Sequence, residues 1–152
     1  MRLAFWCLSV AFLAGCASTT DDLPATAVSF EETVRLHLAA IQNRDLDALM
    51  ETVTRGDSLS LIFPDGTLIE TREGYRDFHP DWFADSTWSM SFERVATAEA
   101  DGMGVALVKW TLTDDTPRSG RQAYLSLVFA NEGGTWRLVH DQNTAIPFPG
   151  DE

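Results

Sequence analysis

Residues 44–70 read RDLDALMETVTRGDSLSLIFPDGTLIE, and three kinds of local structure follow one another within them. Leu46, Leu49, Met50 and Val53 recur at i, i+3, i+4 and i+7 behind Asp45, which predicts a short amphipathic helix capped by the aspartate and ended by Gly56. Leu59 to Phe63 is a short apolar run, Pro64-Asp65-Gly66 is turn chemistry, and Thr67 to Glu70 can pair back as a second strand. Upstream, Ser29 and Glu32 have the spacing of a capping box, with Phe30, Val34, Leu38 and Ile41 at helical intervals behind them, which predicts a helix from about Phe30 to Asn43. Downstream, Tyr75, Phe78 and Trp82 also recur at helical spacing, and Pro80 is expected to kink or interrupt that segment because it lacks a backbone donor.

From Ser86 onward long extended segments are separated by Asp101-Gly102, by Asp114 to Gly120 and by Asn131 to Gly134, the pattern of a four-stranded antiparallel meander. Strict alternation places Ala106, Val108, Trp110 and Leu112 on one face of their strand, and Trp136, Leu138, His140 and Gln142 on one face of the last. Amphipathic strands this long must curl around a core, and the helical segments are available to fill the concavity.

The amino terminus has a different texture. Arg2 precedes an apolar run from Leu3 to Leu13 that is too short to span a bilayer, which is signal-peptide architecture. The run ends in Leu13-Ala14-Gly15-Cys16, which resembles the lipobox of bacterial lipoproteins. That resemblance implies removal of residues 1–15, diacylglycerol on Cys16, a lipidated tether over residues 16–28, and membrane attachment through Cys16 alone. Ala17 stands where an aspartate would favour inner-membrane retention, so the expected location is the outer membrane, facing the periplasm, if the host is Gram-negative. Cys7 falls within the segment expected to be removed, and Cys16 is then the only cysteine left, so no disulfide is expected.

One domain is expected over residues 29–146, followed by a short tail at 147–152. The formal net charge is -12, a surface that phosphate backbones repel, so nucleic acid is not an expected partner. Acidity of this kind reads chiefly as solubility.

A helix, the 44–70 stretch, a short aromatic helix ending Asp81-Trp82-Phe83 and a meander closing on GTWRLVHDQNT together resemble the nuclear transport factor 2-like (NTF2-like) superfamily, within it the SnoaL-like and DUF4440 group that includes ketosteroid isomerase relatives. The resemblance covers about residues 29 to 146. It implies an α+β cone, with N-terminal helices in the concave face of a curved, mostly antiparallel sheet, a pocket between them, and often a sheet-to-sheet homodimer. Several relatives close their last strand with His-x-His; His140 and Gln142 correspond here, so half of that pair is missing.

Candidate functional groups follow from both readings. His140 is either a satisfied buried imidazole or a polar contact in the pocket; with Gln142 it is expected to point into the cone near Trp110 and within reach of Trp82 or Tyr75. Asp141 falls on the opposite face by alternation. Trp82, Trp88, Trp110 and Trp136 either pack the core or line a mouth suited to a flat or cyclic apolar ligand. Asp57 and Asp65 read as loop and turn residues, and no catalytic residue is assigned. His37, His79 and His140 are far apart, without HxH or HExxH spacing, so no metal site is expected. No nucleotide, NAD or hydrolase-elbow pattern occurs, and no cofactor is implied. Three functions remain: a lipid-anchored module that binds a small apolar molecule or assists an envelope partner, a proton-transfer enzyme acting on a small cyclic substrate, or a dimerisation or docking domain.

Overall fold

The computed structural model describes residues 27–151. The expected signal segment, Cys16 and most of the tether lie outside the described residues. Helix α1 spans Phe30–Asn43; the Ser29 hydroxyl accepts a hydrogen bond from the Glu32 amide, and Arg44 closes the helix in the left-handed region at φ 55°. Helix α2, Leu46–Glu51, starts on the Asp45 carboxylate, which accepts from the Ala48 amide. It ends a turn earlier than Gly56 because the backbone there turns to the sheet: Val53 bridges Leu138, and Thr52 and Thr54 exchange hydrogen bonds with the Leu138 backbone.

Strands β1 (Ser58–Ile62) and β2 (Leu68–Thr71) form the hairpin, and α3 (Arg72–Ala84) follows directly. The helix runs through Pro80 rather than stopping there. Pro80 and Arg76, the residue whose carbonyl loses its helical donor to the proline, both lie on the exposed face, where water can satisfy that carbonyl. The meander consists of β3 (Ser89–Ala100), β4 (Met103–Thr113), β5 (Arg121–Glu132) and β6 (Thr135–Ala145).

The six strands form one curved, open sheet in the order β2-β1-β6-β5-β4-β3, antiparallel except for the β1–β6 pair. Bulges interrupt β1, β3 and β6, and each extra residue bends its strand and increases the local twist. Phe30 of α1 plugs the closed end, its ring 5.8 Å from Phe129 and 5.3 Å from Trp136. Gly104 is the residue beneath it, since any Cβ there would sit 2.6 Å from the Phe30 ring. The other end, between α3 and the inner face of β4, β5 and β6, is left open.

Candidate active site

The polar end of the opening is set by an irregularity in β6. Phe129 pairs with Leu138 but the preceding Val128 pairs with His140, so Val139 is an extra residue that the partner strand does not match. Trp136 and Leu138 point inward before the bulge; after it Asp141 faces Leu127 and Leu61, and Asn143 faces Leu125, all on the inner side. The expectation for His140 and Gln142 is therefore corrected. Both lie on the outer face, His140 half-buried with Nδ1 2.6 Å from the Ser60 hydroxyl of β1, and Gln142 exposed. Strict alternation fails across a bulge because one added residue exchanges the two faces of everything beyond it.

The cavity has a volume of about 260 Å³ and is mostly apolar. Tyr75, Phe78, His79 and Trp82 line it from α3, Phe92 and Trp110 from the meander, with Asp141, Asn143 and Arg121 as polar members. Of the aromatic residues singled out in the sequence, Tyr75, Trp82 and Trp110 thus reach the cavity. Trp88 stacks behind Trp82 at 4.6 Å, and Trp136 belongs to the core around Phe30. Asp65 accepts from the Thr67 amide in its turn and Asp57 is exposed; neither lines this cavity.

Asp141 is held by a directed chain. The Trp110 indole donates to Asn143 Oδ1 at 2.8 Å, which leaves the Asn143 amide nitrogen to donate to Asp141 Oδ1 at 2.9 Å and to the Ile62 carbonyl at 3.1 Å. Burial pushes the Asp141 carboxyl up to about 7, against the smaller opposing effect of the Asn143 hydrogen bond. Tyr75 is fully buried, and its hydroxyl has no hydrogen-bond partner among the described residues. Burial, and then the nearby Asp141 charge, raise its pKa well above the ordinary value, so the phenol stays protonated.

His79 lies 2.6 Å through Nδ1 from the Tyr75 carbonyl, which can only accept, so the ring donates there and keeps Nε2 as an acceptor. Burial brings its pKa down to about 4, and the imidazole is neutral at pH 7. His37 is buried in the core rather than on the cavity lining. Thr52 donates to the Leu49 carbonyl at 2.6 Å, so His37 Nδ1 must donate to the Thr52 oxygen at 2.8 Å. No group of three or more potential metal ligands occurs among the described residues.

The sequence profile of the SnoaL-like domain matches residues 31–149. The chain belongs to this family. The SnoaL-like domain sits within the NTF2-like superfamily, and solved structures agree on the fold. A Thiobacillus denitrificans protein assigned as a calcium/calmodulin-dependent protein kinase type II association domain is similar with a TM-score of 0.69 and 19% identity, over 78% of this chain and 96% of that one. A ketosteroid isomerase-like protein from Erwinia carotovora atroseptica gives 0.63 and 15% identity, over 80% and 95%. A Streptomyces avermitilis protein assigned as a dehydratase of the NTF2-like family gives 0.65 and 13%, over 76% and 91%. No curated protein matches the chain. At these identities the likenesses establish the SnoaL-like domain's architecture, and its chemistry rests on the residues in the cavity.

Sequence reasoning missed Asp141 and Asn143. They form an i, i+2 pair interleaved with His140 and Gln142, and the signal for them was an aspartate and an asparagine, residue types that strands disfavour, within a last strand otherwise suited to a sheet.

Proposed function

We propose that the SnoaL-like domain binds a small, flat, largely apolar carbonyl compound and moves a proton on it, with Asp141 as the general acid and base. The observation that carries this reading is a buried carboxyl with a pKa of about 7, aimed by Asn143 into an aromatic cavity. A carboxyl poised near neutral pH accepts and returns protons efficiently, whereas an ordinary aspartate is too weak a base. Ionised Asp141 takes a proton from carbon next to the carbonyl, the C–H electron pair becomes the enolate double bond, and the carbonyl π pair moves to oxygen. Where a carbon–carbon double bond adjoins that carbon the enolate extends into a dienolate. As the oxygen pair re-forms the carbonyl, return of the proton from Asp141 to the far end of the system completes an isomerisation; exchange of that proton with solvent before its return labels the substrate. The neutral His79 Nε2 is placed to accept from a substrate hydroxyl, and Trp110 and Trp82 supply flat faces for a ring.

The test is solvent deuterium exchange into a two-ring ketone such as 2-tetralone, followed by NMR with the full chain. Wild type should accelerate exchange, with a rate rising through pH 7 as Asp141 ionises, and Asp141→Asn should lose roughly a hundredfold or more. Equal rates for the two proteins would defeat the reading.

We further propose that diacylglycerol on Cys16 holds the domain on a membrane, the outer membrane facing the periplasm if the host is Gram-negative. The support for this is the Leu13-Ala14-Gly15-Cys16 sequence with Ala17 behind it. Mass spectrometry should find a chain that begins at lipidated Cys16, and Cys16→Ser should remain unprocessed; a wild-type chain without lipid mass contradicts the anchor.

A further inference from the structure

Arg121 opens β5 on its inner face, two residues before the buried Ala123 and opposite Leu112. Asp141 pairs with Leu127, six residues further along the same strand, so Arg121 and Asp141 lie toward opposite ends of the lining. The Arg121 side chain is 37% exposed, and it also lines an adjoining hollow shared with Trp110 and Pro64. It therefore stands where the cavity meets solvent.

Its electrostatic position is unusual. The other ionisable groups lining the cavity are Asp141, with a pKa near 7, His79, neutral at pH 7, and Tyr75, a protonated phenol. Among the described residues Arg121 is thus the one permanent charge on the lining, in a chain whose formal net charge is -12. Asp114 binds the guanidinium through Nη1 at 2.6 Å. That carboxylate is itself tied back by the Thr116 amide and hydroxyl, so it holds the arginine in place like a bracket. Among the described residues this is the guanidinium's one side-chain partner, and a guanidinium carries five N–H donors in a planar fork suited to a carboxylate.

We infer that Arg121 is the anion-recognition residue of this cavity and that the ligand is a flat cyclic acid, its carboxylate on Arg121 and its reacting carbon toward Asp141. The inference rests on the cavity being the ligand site, as proposed above, and adds the class of substrate. The separation of the two residues along β5 favours an elongated, at least two-ring molecule over a single ring.

Binding of 2-naphthoate and of uncharged 2-naphthamide to the full chain, read by tryptophan quenching, tests it. Wild type should bind the acid at least about tenfold more tightly than the amide, as expected for a charge-assisted bidentate contact, with a preference that declines as salt is raised. Arg121→Gln should bring the acid-to-amide ratio close to one, the ratio being read against whatever naphthamide affinity the variant itself has, and Arg121→Lys should keep part of the preference. Equal wild-type affinities, or a preference that survives in Arg121→Gln, would overturn the assignment of Arg121 and leave the proton-transfer reading standing. The wild-type ratio decides the matter even if Arg121→Gln fails to fold. Failure of both probes to bind would overturn the ligand site itself, and the inference with it.

Discussion

Burial pushes the Asp141 carboxyl from an ordinary 3.8 up to about 7, which makes the folded protein the better proton binder between those values. Stability contributed by this group therefore falls as pH rises through that window and stays reduced above it, by on the order of 4 kcal/mol at pH 8. Asp141→Asn keeps the shape and removes the charge; its urea midpoint should exceed wild type at pH 8, and the difference should vanish near pH 4. A variant no more stable at pH 8 would contradict the burial argument. The buried histidines act with the opposite sign. His37, lowered to about 3 by burial and then by His79, and His79, lowered to about 4, take up protons on unfolding at pH 6.5 and below. Two such groups outweigh one carboxyl, so stability should peak near pH 7 and decline on acidification, which a pH series of denaturation curves measures directly. Asn143 tunes the same carboxyl from its neighbouring position. Asn143→Leu removes the hydrogen bond that favours the ionised form, so the pH midpoint of proton exchange should move above 7, and an unmoved midpoint would show that Asn143 does not act on Asp141.

At the scale of elements, β4 and β6 show what keeps the cavity open at one end and closed at the other. Phe30 fills the closed end against Phe129 and Trp136, and it can do so only because Gly104 has no side chain. A methyl group 2.6 Å from the buried ring has nowhere to go, so Gly104→Ala should destabilise the domain by about 1–3 kcal/mol in chemical denaturation, and a neutral effect would mean that α1 can shift. The helices and the meander were legible in the sequence because their signals are local: the Ser29 and Asp45 caps, apolar spacing, and Gly-containing turns. The aromatic lining was legible for the same reason, since Tyr75 and Trp82 follow the period of α3 and Trp110 that of β4. The acid was not. A bulge is a property of two strands, created when Val139 finds no counterpart beside Val128 and Phe129, and nothing within β6 alone announces it. The end of α2 was misplaced on similar grounds, because its last turn yields to the bridge between Val53 and Leu138. The outward placement of His140 has its own consequence: His140→Ala, which removes only the contact with Ser60, should leave naphthamide affinity and exchange rates unchanged, whereas a loss comparable to that of Asp141→Asn would return the site to His140.

At the scale of the molecule, the described residues put no helix over the outer face of the meander. Val105 is 41% exposed there, and Tyr124 is 43% exposed. The sheet register gathers the apolar positions: Val105 stands between Val128 and Ala98, and Leu107 beside Ala96, so apolar side chains of β3, β4 and β5 adjoin one another, with Tyr124 beside Lys109 further along. A contiguous apolar face of this kind is unusual on a monomer, and a second copy related by a two-fold axis would cover it with the same residues it needs to hide. The homodimer expected from the sequence is accordingly proposed on this face, away from the cavity, which opens on the inner side of the sheet. Sedimentation equilibrium of the full chain in detergent should then give twice the chain mass. Val105→Glu places a charge among apolar neighbours and against its own symmetry mate, so it should shift the equilibrium to monomer by at least about tenfold while naphthamide still binds. A wild-type monomer at micromolar concentration, or a Val105→Glu dimer as tight as wild type, would rule out this face as the interface.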